Sequence, residues 1–206
     1  MKIIGPQVMM EFPIDGEAIL HSIEKIGRVC YKSEDRITTE SAGKFIQSIL
    51  KRGHESVIEH ISVSMRVVCD RGVTHEIVRH RIASYSQEST RYCNYSGNRF
   101  GNELTFIKPC FFEPGSDAYK LWLESMEYAE KIYLAMISGG AEPQQARSVL
   151  PNSLKTELIM TMNLREWRHF IRLRTAKASH PQMREIAYMM LSLLKESIPV
   201  IFDEFT

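Results

Sequence analysis

The chain has 206 residues, 44% hydrophobic and 25% charged, which suits one globular domain with a buried core. Lys and Arg number 26 against 25 Asp and Glu, so a net charge of +1 excludes general attraction to nucleic acid or anionic membrane, and any basic site must be local. Cys30, Cys69, Cys93 and Cys110 form no C-x-x-C pair and no metal-ligand spacing, so they read as buried or half-buried thiols in a reducing compartment.

Residues 1–5 are too few for a signal-peptide core. Asp15 is placed to cap a helix in which Ile19, Ile23, Ile26 and Cys30 recur at helical steps. Thr38 or Thr39 is placed to cap a second helix, with Phe45, Ile46, Ile49 and Leu50 as its stripe and Gly53 as its stop. From Ile61 the pattern alternates: Ile61, Val63, Met65 and Val67 on one face, Ser62, Ser64 and Arg66 on the other, which predicts a strand. A short helix is expected from about Thr74, then an irregular polar stretch over 84–100 and a brief strand over 104–107. The clearest helix is expected over 116–138, where Trp122, Met126, Ala129, Tyr133 and Met136 share a face before Gly139 and Gly140. Pro143 suits the first turn of a short helix. Leu154, Leu158, Met160 and Met162 predict a second long strand ending at Asn163, a good N-cap, followed by two helices separated near Ser179 and Pro181. The apolar stretch 186–194 is far shorter than the roughly 20 residues of a membrane span. No repeat or linker divides the chain. The expectation is a soluble, cytoplasmic, single α+β domain over 1–206, with a mixed or antiparallel sheet flanked by helices.

The densest chemistry is Arg79-His80-Arg81 followed by Ser84-Tyr85-Ser86-Gln87-Glu88-Ser89-Thr90-Arg91. On a helix, three adjacent side chains fan over about 200°, so one of them must point toward structure or a ligand. Arg forks, hydroxyls and backbone N–H groups match phosphate, although a solvated charge run has the same composition. A second basic segment runs over 165–177. With Trp167 at 0° on a helical wheel, Phe170, Ile171 and Arg174 fall within about 60°, so Arg174 is centred on the apolar face and requires an anionic partner, protein carboxylate or ligand. Arg168 and Arg172, about 100° and 140° away, read as solvated. Arg147 is a third basic candidate.

The histidines give no metal reading. His75 and His80 are five apart, about 140° around a helix, and His54 and His60 six apart, about 120°, whereas the zinc motif needs i and i+4. Neither G-x-G-x-x-G nor G-x-x-x-x-G-K occurs, so a dinucleotide would be held by side chains.

Arg79-His80-Arg81, seven residues and then Ser89 resembles the signature of the flavin-dependent thymidylate synthases. Gly53-His54-Glu55-Ser56-Val57-Ile58-Glu59-His60 upstream resembles another family segment. So do Ala146-Arg147-Ser148-Val149-Leu150-Pro151 and the segment from Asn163-Leu164-Arg165 to Leu173-Arg174 downstream. The resemblance implies an α/β arrangement around a twisted sheet and a homotetramer with shared active sites. It also implies FAD, NADPH and 5,10-methylenetetrahydrofolate as reaction partners, with dUMP methylated to dTMP. By matching position, Ser56, Arg79, His80, Arg81, Asn163, Arg165 and His169 would contact FAD. Glu76, Arg79, Gln87, Glu88, Ser89, Thr90, Arg91 and Arg147 would line the dUMP site, and Arg174 would meet the uracil ring as the catalytic residue. This chain has Glu76, Ser86 and Gln87 where the family pattern more often has Gln, Asn and Glu. No metal, nucleic acid or membrane enters this reading.

Two rival classes make different demands. A nucleic-acid module needs exposed aromatics among the basic residues, which Tyr85, Tyr92 and Tyr95 supply weakly. A flavoprotein reductase without methyltransferase activity would show no dependence on dUMP.

Overall fold

The computed structural model describes every residue except Arg99. Strands β1 (Lys2–Ile4) and β2 (Gln7–Met10) lie either side of Gly5 and Pro6, and at three and four residues they are too short to show a period. Helix α1 (Gly16–Tyr31) is capped as expected: Asp15 Oδ1 accepts the Ala18 N–H at 2.9 Å. Of its stripe Ile23 is buried, but Cys30 is exposed, as is Cys110, which corrects the expectation that all four thiols are covered. Helix α2 (Ser41–Lys51) starts later than predicted. The Thr38 hydroxyl accepts from Glu40 N–H in a local turn, and Ser41 Oγ accepts from Thr38 N–H, so neither threonine caps the helix. Gly53, at φ 74°, follows its end.

Strand β3 (Ser62–Asp70) runs into helix α3 (Arg71–Ile77), whose cap is Asp70 rather than a residue near Thr74. Inside the stretch expected to be irregular lies strand β4 (Ser84–Gln87), where Tyr85 packs on the core while Ser84 and Ser86 are exposed. Strand β5 (Thr105–Ile107), helix α4 (Asp117–Ser138), helix α5 (Pro143–Ala146), strand β6 (Lys155–Asn163), helix α6 (Leu164–Arg174) and helix α7 (Pro181–Ser197) follow.

The main sheet is antiparallel in the order β2-β3-β6-β4, and β1 pairs parallel with β5. In β3 and β6, Val63, Met65, Val67, Leu158, Met160 and Met162 point into one core with α1, α2, α6 and α7. The other face is polar: Ser64 Oγ meets Thr161 Oγ1 at 2.7 Å, and Arg66 pairs with Glu11 and Glu157. A second cluster gathers Leu104, Phe106, Trp122, Met126 and Tyr133 under α4. Among the described residues no helix is long and apolar enough to cross a membrane.

Arg168 departs from its expected exposure. It is 2% exposed, its guanidinium bonding Glu55 at 3.1 Å, Glu204 at 2.7 Å and the Ile201 carbonyl, with the Phe205 ring 5.3 Å away. The wheel put it at the border of the apolar face, and the residues after α7 fold over that border. Arg172 is exposed, as read.

Candidate active site

Two helix ends build the site. Asn163 Oδ1 accepts the Glu166 N–H at 2.9 Å to start α6, and Trp167 Nε1 donates to the Val63 carbonyl at 3.1 Å, fixing the helix on β3. Trp167, Phe170 and Ile171 are fully buried, which carries Arg174 to the last turn of α6 beside the end of α3. There the required anion is a protein carboxylate. Arg174 Nη1 donates to Glu76 Oε2 at 2.8 Å, Nη2 to the Glu76 carbonyl at 2.9 Å and Nε to His80 Nε2 at 3.0 Å.

The Arg79-His80-Arg81 motif lies past α3, in the connection to β4, so the helical-fan argument does not apply as written. Turn-type bonds from Arg79 N–H to Glu76 O and His80 N–H to Ile77 O end the helix, and the chain then presents Arg79 and Arg81 to solvent and His80 inward, 4% exposed. The Tyr85 hydroxyl sits between the carbonyls of Ile77, at 3.0 Å, and His80, at 2.6 Å, holding this turn to β4. Burial pushes the Tyr85 phenol up to about 12, so it stays a donor.

The protonation of His80 follows from its neighbours. Arg Nε is only a donor, so His80 Nε2 must offer its lone pair; the ring proton then sits on Nδ1, 3.1 Å from Glu166 Oε1. Burial holds the imidazole below its usual pKa; the Glu166 carboxylate opposes this, and the Arg174 cation adds to it. His80 also packs on Phe170 at 4.6 Å and His169 at 5.6 Å between ring centres. His80, Glu166 and His169 bring three ligand atoms within 4.8 Å, a grouping that sequence spacing did not suggest. A guanidinium at 3.0 Å on one His80 nitrogen and a proton on the other make it a poor metal set. Glu166 is the residue that sequence reasoning missed; its only local signal is an acid in the first turn of a helix.

Beside this cluster a cavity of about 580 Å³ is lined by Glu55, Asn163, Arg165, Glu166, His169 and Arg172. Three of the residues expected at flavin therefore share one wall. Ser56 lies exposed in the 3₁₀ turn Glu55–His60, which packs on α6. A second cavity, of about 380 Å³, opens on the polar face of the sheet among Arg66, Ser86, Gln87, Glu88, Lys155 and Glu157. Gln87 Nε2 donates to Thr74 Oγ1 at 3.1 Å, and Glu88 accepts from Tyr95 at 2.7 Å and Lys155 at 2.7 Å. Thr90 is buried. Ser89 Oγ accepts the Arg91 N–H at 3.2 Å, and among the described residues no imidazole or carboxylate bonds to it. Arg91 is exposed, with its guanidinium 5.1 Å from the Tyr92 ring centre. Arg147 is exposed in the 3₁₀ turn Arg147–Val149 that packs on α4 and α5.

Known proteins resemble the chain over most of its length. The family model for the thymidylate synthase complementing proteins matches residues 17–200. A flavin-dependent thymidylate synthase from Pyrococcus furiosus is 37% identical over 161 residues, 78% of this chain and 65% of that protein. One from Geobacter sulfurreducens is 34% identical over 184 residues, 86% of this chain and 78% of that protein. A UMP/dUMP methylase from Streptomyces cacaoi, solved with 5-Br dUMP, has the same fold: TM-score 0.78 at 24% identity, covering 98% of this chain and 96% of that one. With a family model that matches residues 17–200, nearly the whole sequence, the chain belongs to the thymidylate synthase complementing protein family.

Proposed function

We propose that the protein is a flavin-dependent thymidylate synthase. It converts dUMP to dTMP with 5,10-methylenetetrahydrofolate as one-carbon donor and NADPH as reductant, as a cytoplasmic homotetramer whose subunits share active sites. The observation that carries this reading is Arg174, a guanidinium fixed by Glu76 and His80 within a family match covering residues 17–200. The curated relatives' names support flavin, and the methylase's support a uracil nucleotide.

The residues present fit FAD. The cavity of about 580 Å³ falls in the size range of small-molecule sites; it brings Arg165 and Arg172, paired in this structure with Glu59 and Glu204, beside the Asn163 amide and the His169 imidazole, and a diphosphate would take over those carboxylates' place on the guanidiniums. Asn163, Arg165 and His169 would hold the cofactor together with Ser56, Arg79, His80 and Arg81. Bound FAD would supply the redox chemistry, and the protein supplies orientation and electrostatics. On the nucleotide side, Ser89 and Arg91 offer a hydroxyl and a cation to the dUMP phosphate, with the buried Thr90 between them and Arg79, Gln87 and Glu88 nearby along the chain. Arg174 stabilises the negative charge that develops on the pyrimidine ring and so activates its C5 carbon.

The test is reconstitution. The purified protein is titrated with FAD and its visible absorbance followed; NADPH is expected to bleach the band, and dTMP to form only when dUMP and methylenetetrahydrofolate are both present. Folded protein that binds no FAD would end this reading. Flavin reduction without dTMP would leave a reductase.

A further inference from the structure

We infer that Glu166 is a positioning residue for Arg174, acting through His80. The inference rests on the reading of Arg174 as the group that meets the nucleotide. Its basis is an unbroken chain of contacts: Glu166 Oε1 to His80 Nδ1 at 3.1 Å, His80 Nε2 to Arg174 Nε at 3.0 Å, Arg174 Nη1 to Glu76 Oε2 at 2.8 Å.

Hydrogen-bond direction gives this chain its meaning. Imidazole exchanges its proton between two nitrogens, and only the Nδ1–H form leaves a lone pair for Arg174; the other form sets N–H against N–H. The Glu166 carboxylate is acceptor-only, so it selects the productive form, as the buried acid of a hydrolytic triad selects its histidine's tautomer. Side-chain exposure of 3% for His80, 11% for Glu166 and 13% for Arg174 keeps water from taking over either role. Three of the five guanidinium N–H groups are then fixed on protein, and one on each of Nη1 and Nη2 keeps a defined direction. Glu166 also lines the cavity assigned to flavin, so one carboxylate touches one half of the site and orients the working residue of the other.

The experiment compares wild-type protein with Glu166→Gln, Glu166→Ala and Glu166→Asp. Selective ¹⁵N labelling of histidine, with His80→Gln for assignment, reports the tautomer without turnover. Expected is a protonated Nδ1 and a bare Nε2 in wild type, a mixture in Glu166→Gln and Glu166→Ala, and partial return in Glu166→Asp. With FAD in excess, kcat for dTMP should fall about 10- to 100-fold in the first two variants, the scale of a reacting group displaced by about 1 Å. In Glu166→Gln the acid limb of the rate profile should move to lower pH. That variant removes the carboxylate at Nδ1 and leaves Arg174, His169 and, from α3, Glu76 as the charges around the ring, with the Tyr85 hydroxyl on the His80 carbonyl from β4. An unchanged His80 tautomer in both neutral variants overturns the inference, as does a rate loss that excess FAD fully restores. If Arg174→Ala makes dTMP at the wild-type rate, the reading of Arg174 falls and with it the catalytic consequence, whereas the ¹⁵N comparison still separates that failure from a failure of the tautomer lock.

Discussion

Arg174 combines a guanidinium fixed by Glu76 and His80 with a side chain only 13% exposed. Such a preorganised donor needs no reorganisation when charge develops, and removing one typically costs about 10²- to 10³-fold in rate. Arg174→Ala is expected to lose dTMP formation by that factor while keeping NADPH oxidation without dUMP. Lysine should recover part of it, since it keeps the charge but not the planar fork. Equal losses in both activities, measured on one preparation, would make Arg174 structural. A second residue-scale expectation concerns acid. Burial keeps the His80 pKa below its unfolded value of 6.5, so below that pH the unfolded chain binds the proton first. The His80 contribution to stability therefore falls as pH drops from about 6.5 to the folded value and changes no further below it. Thermal unfolding against pH should show this slope in wild type and a shallower one in His80→Gln; identical slopes would show that His80 titrates alike in both states. Arg174 was legible in the sequence because a charge at a core position of a helix violates the hydrophobic pattern. Glu166 was not, because an acid in a first helical turn is ordinary and its partner lies 86 residues away.

Helices and long strands announced themselves through caps and periods, and the brief strand β5 was expected too, but β1, β2 and β4 were not. Asn163 closes β6 and opens α6 in one residue, its side chain accepting from Glu166 N–H at 2.9 Å. Asn163→Ala is expected to cost about 1 kcal/mol in the flavin-free protein, and Asn163→Asp to keep most of that, by denaturant titration. A cost near zero would mean that the packing of Trp167 and Phe170 alone fixes the start of α6. In contrast β4 has one core residue, Tyr85, among Ser84, Ser86 and Gln87; it is a strand because β6 offers it a ladder. That is tertiary context, which local pattern cannot encode. Arg79-His80-Arg81 was misplaced onto a helix for a similar reason, since α3 ends at Ile77 through turn bonds that nothing in the side-chain pattern marks.

At the scale of the whole molecule, the one-sided alternation of β3 and β6 did predict a mixed or antiparallel sheet with helices against it, and the main sheet is the antiparallel form. What stayed hidden was the return of the C-terminal residues over α6, which buries Arg168 between Glu55, Glu204 and the Ile201 carbonyl. Losing one partner of a buried ion pair costs about 3–5 kcal/mol; with Glu204 half exposed, Arg168→Ala should sit near the lower end, about 3 kcal/mol, by thermal or urea unfolding. A cost under about 1 kcal/mol would show that the tail contributes little.

The same clasp gives the segment after α7 a remote effect. Glu204 and Phe205 hold Arg168 from behind, and Arg168 neighbours His169 in the helix that faces the cavity proposed for flavin. A proteolytic nick between α7 and Glu204 would leave Arg174, His80 and Glu166 untouched, yet it would loosen the helix that carries Arg174. Nicked preparations should therefore inactivate on warming before intact ones while starting from similar activity in the cold.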